Sequence, residues 1–496
     1  LLARTNLTSA SLVRWSIGTQ AGVIPEEPTV LLSFNEGFTA PSTGTWSYVR
    51  ATPSWRRKSD GTWEEVASGE FAIHHDASGN LLGHQLQRQL TNLIRNPRLG
   101  GGAAGSPGTA PTYCTNAVGG TSAQIAAVGS EEDGLPAVDW RVTGTTAGAT
   151  NTVFFFETTT GISAVQNDLI YLNLHARILA GDLTNISSVR IGFTEQDSGG
   201  AVIPGGGAYS IVSVDELRLG SQRLGAILTA PSAACAYIRP YFQVWVAAAG
   251  AVEVTFRLSV PSVVKSTSSI PVPFVPITPP VGAPATSTRN ADSFTYTPVE
   301  DIMVEGAMTV HIRMTLFDSQ GVVGGQANLQ VDDSSTSYVR LRPYTLGGTQ
   351  WSDSLVSLAG SLIVDTPPLD SGVSQGSPCR YTMRLSADTG FNRWVGTLNK
   401  QVDPDVQTVD LNRIVINAVN GVFSGCIQEL RVYNRKLTDG QCAQLSLDGT
   451  SYDPSGITYD TGLITAGVEV SYGQSLVVLP SEVSGQYVRC ELSDVS

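Results

Sequence analysis

Two stretches place flat aromatic rings beside hydrogen-bonding side chains at every second residue, the spacing of one face of a β-strand. In residues 237–246, Tyr237, Arg239, Tyr241, Gln243 and Trp245 alternate with Ile238, Pro240, Phe242, Val244 and Val246. In residues 170–177, Tyr171, Asn173, His175 and Arg177 alternate with Ile170, Leu172, Leu174 and Ala176. The apolar set of each stretch belongs in a core, which leaves the mixed set facing outward. A sugar ring offers apolar C–H faces and a rim of hydroxyls, so rings flanked by bidentate donors and acceptors have the composition of a glycan-contacting surface. If the two strands are neighbours in one sheet, the mixed sets merge into one platform. The same residue types anchor protein interfaces, so contact with another subunit or domain stands as the competing reading.

Other candidate chemistry is thinner. Tyr338, Arg340 and Arg342 share one face of a strand, with Trp351 and Trp394 expected on nearby loops. That pattern fits aromatics plugging the ends of a sandwich better than a binding edge. Asp332, Asp333 and Asp365 offer oxygens to a structural Ca²⁺, but a hard cation takes about six to eight oxygen ligands, so no metal or other cofactor is expected. His74 and His75 point to opposite faces of a strand and do not share an ion; with Asp76 they read as a strand running into an Asp-x-x-Gly-Asn turn, and His84 lies further on. Gly100, Gly101 and Gly102 read as a hinge, since no Gly-Lys-Ser/Thr follows them. Glu157, Glu195 and Glu253 fall in one domain, but no spacing ties two of them together as a glycosidase pair, and no H-E-x-x-H helix occurs. A non-enzymatic protein is expected, with a glycan depolymerase as the alternative.

The elements that must carry these faces are strands. Only 15% of the 496 residues are charged, while 51 are Gly and 26 are Pro, a balance that starves long helices and feeds turns. Further alternation runs through Val252, Val254, Phe256 and Leu258, through Val310, Ile312, Met314 and Leu316, and through Tyr381, Met383 and Leu385. The expected fold class is all-β and multidomain: two antiparallel jelly-roll β-sandwiches with small N- and C-terminal β units. Gly and Pro in residues 95–112 close an N-terminal β unit, 1–95; a jelly roll spans 96–265. A Pro-rich linker, 266–285, favours an extended spacer. A second sandwich, 286–448, ends in a short helix begun by a capping box of Thr438 and Gln441, and a β segment occupies 449–496. No fixed-period repeat occurs, against a solenoid, a propeller or a β-helix.

Lys and Arg total 30 against 43 Asp and Glu, a net charge of −13 that argues against nucleic acid and anionic membranes as main partners. No run reaches the ~18 apolar residues of a spanning helix, so no membrane insertion is expected, and the opening residues lack the layout of a signal peptide. The six cysteines, scattered without a C-x-x-C, are expected as free buried thiols.

Three stretches resemble known families. Residues 49–95 resemble a module of tailed-phage fibre and spike proteins, on Arg50, Ala51, Thr52, Gly61, Val66, Ala67, Phe71, Asp76, Gly83, Thr91, Asn92, Leu93, Asn96 and Pro97. The chain departs from that module at Gln85-Leu86-Gln87, where an acidic residue is usual. Residues 96–265 resemble the carbohydrate-binding jelly roll that often follows, ending in the Val-Thr-Phe-Arg-Leu strand of residues 252–261. Residues 286–448 resemble a concanavalin-like, laminin-G-like lectin sandwich, on the opening 288–295 and on Gly425, Ile427, Glu429, Leu430, Arg431, Val432, Tyr433, Asn434, Arg435 and Leu437. This order of modules implies a virion appendage of a tailed phage or gene-transfer particle: a tail fibre, tail spike or head fibre, displayed on the particle exterior after assembly in the host cytoplasm. The resemblance further implies adhesion to host surface polysaccharide or lipopolysaccharide, other virion proteins as partners and a homo-oligomer, most commonly a trimer. A purely structural virion decoration is the alternative.

Overall fold

The structure, a computed structural model, describes residues 12–18, 28–34, 44–87, 89–212, 217, 222–247, 249–266, 276–278, 285–298, 302–303, 306–319, 329–334, 337–346, 349–358, 361–374, 377–388, 390–395, 399–403, 411–416, 423–447 and 487–493. The described chain is almost entirely strand, paired antiparallel, and the protein is multidomain and all-β as its composition predicts.

The first sandwich is built from two sheets. One has five strands in the order Ser122–Glu132, Leu135–Thr146, Gly250–Ser266, Leu169–Asp182 and Gln222–Thr229. The other runs Val202–Val212, Ile186–Gln196, Tyr237–Val246, Thr150–Phe155 and Thr115–Val118, with Ile162–Ser163 as a sixth strand paired beside Tyr237–Val246. The alternation read from sequence sets the core: Ile170, Leu172 and Leu174 from the first sheet meet Ile238, Phe242 and Val244 from the second, around Trp140 and Phe256. Trp140 tethers its indole N–H to Asn116 Oδ1 at 3.1 Å, so its polar atom is satisfied inside the core.

The second sandwich also has two sheets, and here the expected N-terminal unit needs correction. The described strands Val30–Ser33, Thr45–Val49, Ile73–His75 and Leu81–Leu86 belong to the sheets of the second sandwich. Leu81–Leu86 and Val30–Ser33 pair along the same edge of Phe423–Tyr433, with Ile73–His75 beyond, and Thr45–Val49 pairs with Ser293–Thr297 in the opposite sheet. Val30, Leu32, Phe34, Tyr48, Ile73 and Leu86 share one core with Phe294, Tyr296, Ile427 and Leu430. The physical reason is that Phe423–Tyr433 and Ser293–Thr297 would otherwise end as unpaired apolar edges, which the N-terminal strands cover. The hairpin of Ser54–Arg57 and Trp63–Val66 instead packs Trp55 and Trp63 on Leu135 and Val260 of the first sandwich.

The helix Asp439–Leu447 begins where the capping box places it: Thr438 N–H donates to Gln441 Oε1 at 2.9 Å and Gln441 N–H to Thr438 Oγ1 at 3.3 Å. It covers Trp394, Tyr433 and Leu437. Trp394 therefore lies buried in strand Gly390–Val395, and Trp351 falls within strand Thr349–Leu358, so neither is on a loop as expected; the side chain of Trp351 lies outside the described residues. Of the linker, residues 266, 276–278 and 285 are described; Ile277 is buried with Leu90, Tyr171 and Val264. Of 449–496, only Tyr487–Ser493 is described, paired with Leu12–Gly18; the rest of both segments lies outside the described residues. Five cysteines are free and buried; the side chain of Cys490 lies outside the described residues.

Candidate functional site

The nine residues expected on one platform lie on two different sheets. Leu169–Asp182, carrying Tyr171, Asn173, His175 and Arg177, belongs to the five-stranded sheet, and Tyr237–Val246 belongs to the six-stranded one across the core. The condition for a merged platform is not met: strand pairing is a long-range choice that alternation within a strand does not encode.

On the five-stranded sheet, the four residues face other parts of the chain. Tyr171 is 2% exposed and packs with Leu90, Val264 and Ile277; Asn173 is 5% exposed. The His175 ring meets Trp63 edge-on at 5.9 Å, and burial with the nearby charges of Arg223 and Arg57 holds it down at about 3, so the imidazole is neutral. Arg177 bridges to Glu132 at 3.2 Å, and Glu132 also takes Arg257 at 3.4 Å. Tyr171 and His175 thus meet segments outside the sandwich, while Arg177 is paired within its own sheet.

The other five line the outer face of the six-stranded sheet, whose strands make extended contact, among the described elements, only with strands of the same sandwich. Register sets the face out in rows. Tyr209, Gly192, Tyr241 and Phe155 stand side by side across four strands. Next to them run Ile211, Arg190, Gln243 and Val153, then Ser188, Trp245 and Asn151. The Arg190 guanidinium sits between two rings, 4.3 Å from the centroid of Tyr209 and 4.8 Å from that of Trp245, while its Nε donates to Ser188 Oγ at 3.1 Å. Such stacking fixes a normally mobile side chain and contributes about 0.5–1 kcal/mol per exposed ring. Arg239 lies over Phe155 at 3.8 Å and donates to Glu157 O at 2.9 Å and to Thr115 Oγ1. Tyr241, buried beside Val153 and Phe155, has its phenol pushed up to about 12 by burial, against the opposing pull of Arg190. It stays a neutral donor.

Gly192 shapes the floor. A Cβ there would stand 2.3 Å from Ala208 O and 2.7 Å from Tyr209 Cβ, so only glycine lets Tyr209 lie across the neighbouring strand. Tyr209, half-exposed at 50%, and Trp245 thus flank Arg190, with Tyr241 and Gln243 buried in the neighbouring rows. Sequence reasoning missed Tyr209, Arg190, Phe155 and Asn151. The signal was present in Val189, Ile191 and Phe193 alternating with Arg190, Gly192 and Thr194.

The remaining candidates have structural partners. Arg340 stacks on Tyr338 at 3.6 Å and donates to Gln330 Oε1 at 2.6 Å; the side chain of Arg342 lies outside the described residues. Asp332 is buried and bonded to Arg413 at 2.7 Å and to Gln330. Asp76 caps its own turn, accepting from Ser78 N and Asn80 N at 2.8 Å each. Glu157 is held by Arg95 at 2.6 Å, Glu195 accepts from Ser232 N at 3.2 Å, and Glu253, on the five-stranded sheet, pairs with Arg141 at 2.5 Å. Among the described residues no group of three or more His, Cys, Asp or Glu is placed to hold a metal. Gly372 to Gly376 spell G-x-S-x-G, yet Ser374 ends a strand and the next described element is the strand Pro378–Ser386, without the helix of a nucleophile elbow.

The residues that carried the family resemblance meet one another. Asp292 accepts from Tyr48 Oη at 3.0 Å, Gln87 N at 2.6 Å and Arg289 at 2.6 Å, and Arg50 donates to Tyr48 Oη at 3.0 Å. Asn92 donates to Pro261 O and Ile277 O and accepts from Val263 N and Ile94 N, tying the end of the first sandwich to the linker.

No protein-family model and no curated protein matches the sequence. Among solved structures, one of carbohydrate-binding modules from the β-sandwich superfamily aligns over 52% of this chain and 99% of its own, at 12% identity and a TM-score of 0.25. The tripod BppUct-A-L from the baseplate of bacteriophage Tuc2009 aligns over 68% and 99%, at 10% identity and 0.26. The receptor-binding domain of botulinum neurotoxin mosaic serotype C/D aligns over 30% of this chain and only 38% of its own, at 8% identity and 0.21. The functional reading rests on the chain's own sheet face.

Proposed function

We propose that the chain is a non-enzymatic adhesion protein of a phage-like virion, a tail fibre, tail spike or head fibre, and that it holds host surface polysaccharide or lipopolysaccharide on the outer face of its six-stranded sheet. The observation that carries the glycan reading is the Arg190 guanidinium fixed between Tyr209 and Trp245, beside Gln243 and over the Tyr241 floor. Rings cover the C–H faces of a sugar; the guanidinium and the amide reach its hydroxyls. The order of the sequence motifs supports the virion placement. A trimer suits such a site, since several weak contacts presented together raise avidity by roughly 10²–10⁴.

A second reading follows from Val202 and Ile211, exposed at 56% and 63% on the edge strand Val202–Val212: the same face serves as a contact between subunits or virion proteins. One experiment separates the two. The full chain and its Trp245→Ala and Tyr209→Ala variants are applied to a glycan array and sized by light scattering. Adhesion predicts bound glycans in the parent, affinity at least about tenfold weaker in each variant, and unchanged mass. Loss of multimers in the variants, with no glycan bound by the parent, establishes the interface instead.

A further inference from the structure

A cavity of about 650 Å³ opens where the 44–95 segment, the first sandwich and the second sandwich meet. The size is that of small-molecule sites. Three guanidinium groups line it, one from each part: Arg57, Arg223 and Arg313. The lining holds one carboxylate, Asp76, whose oxygens accept from Ser78 N, Asn80 N and, at 2.9 Å, Asn80 Nδ2 of its own turn. Arg57 spends its Nε on the uncharged Gly61 O at 3.0 Å. Arg313 Nε is buried with no hydrogen-bond partner; Glu429, opposite it in register, is bonded to Arg431 and also attracts the Arg313 charge.

His74 and His175 are both held down at about 3, by burial first and then by neighbouring arginines. In a chain of net charge −13, three arginines and a single carboxylate line this cavity. Guanidinium groups match planar oxyanions in two-point contacts.

We infer that this cavity binds an oxyanion of the carboxylate or phosphate class, carried by a small molecule or an acidic sugar residue, with Arg57, Arg223 and Arg313 as its donors. The inference does not rest on the glycan reading of the six-stranded sheet. Trp63, which lines the same cavity, supplies an apolar surface for the body of the ligand.

Calorimetric titration of the full chain with inorganic phosphate, glucuronate and neutral glucose at constant ionic strength tests it. Saturable binding of phosphate, of glucuronate or of both is expected, with none for glucose. Phosphate alone identifies a phosphoryl ligand and glucuronate alone an acidic sugar. Arg313→Gln should weaken the binding by about tenfold or more, Arg313→Lys should recover part of it, and Trp245→Ala should leave it unchanged. If Arg313→Gln does not fold, the NMR resonances of the His74 and His175 rings in the parent chain decide, since both line the site and must shift on saturation. Failure of both anions to bind, equal binding by a folded Arg313→Gln variant, or unmoved histidine signals would overturn the assignment.

Discussion

Tyr48, Arg50, Arg289 and Asp292 show what a sequence motif can encode without touching a ligand. They come from segments more than two hundred residues apart, and the Arg289–Asp292 pair is almost fully buried, at 2% and 0% side-chain exposure. A buried ion pair contributes little net stability against an apolar equivalent, but removing one partner strands the other. Asp292→Ala leaves Arg289 without its carboxylate and should cost about 3–5 kcal/mol in the urea transition of the second sandwich. Tyr48→Phe, which removes one hydroxyl donor to Asp292, should cost about 1 kcal/mol. Both should leave glycan affinity unchanged, because the six-stranded sheet belongs to the other sandwich. A drop in affinity after Tyr48→Phe, measured on the same array as Trp245→Ala, would show that the two sandwiches are coupled.

At the scale of elements, legibility follows the range of the interaction. The capping box at Thr438 is readable because its bonds close within four residues. The core faces of residues 170–177 and 237–246 are readable because alternation is a local property of a strand. Which strand lies beside which is decided by partners far away in sequence. Tyr171 and Asn173 look like surface in the pattern, yet Tyr171 packs with Leu90 and Ile277 and Asn173 is buried. The joint between Leu81–Leu86 and Phe423–Tyr433 shows the same dependence. Gly83 has φ +97°, and a Cβ there would stand 2.2 Å from Ile427 O. Gly83→Ala brings both a left-handed backbone penalty and a clash with a main-chain atom, so it should destabilise the second sandwich by about 2 kcal/mol or more. Hydrogen exchange at 423–433 should then speed up, while exchange in Tyr237–Val246 stays as it is.

For the whole molecule, the jelly roll is an insertion between two parts of one sandwich. The chain lays down Val30–Ser33, Thr45–Val49, Ile73–His75 and Leu81–Leu86, builds the first sandwich, and returns to complete the sheets those strands began. The Gly- and Pro-rich punctuation at 95–112 and 261–286 marks where the path leaves and comes back, which is why it reads as a set of domain boundaries. A fragment of 286–448 alone would leave Phe423–Tyr433 without its Leu81–Leu86 and Val30–Ser33 partners and Ser293–Thr297 without Thr45–Val49. It would also lose Phe34, Tyr48 and Leu86 from the core. Two apolar edges open at once in such a fragment, and open edges pair with other chains. Expressed alone, 286–448 should aggregate; expressed together with a separate 28–95 segment, it should return to the soluble fraction. Residues 96–266 keep all eleven strands of their own two sheets and should fold without either partner, with cooperative unfolding by circular dichroism. A soluble, cooperatively unfolding 286–448 fragment would mean that the N-terminal strands are an added layer on a complete sandwich rather than part of its core.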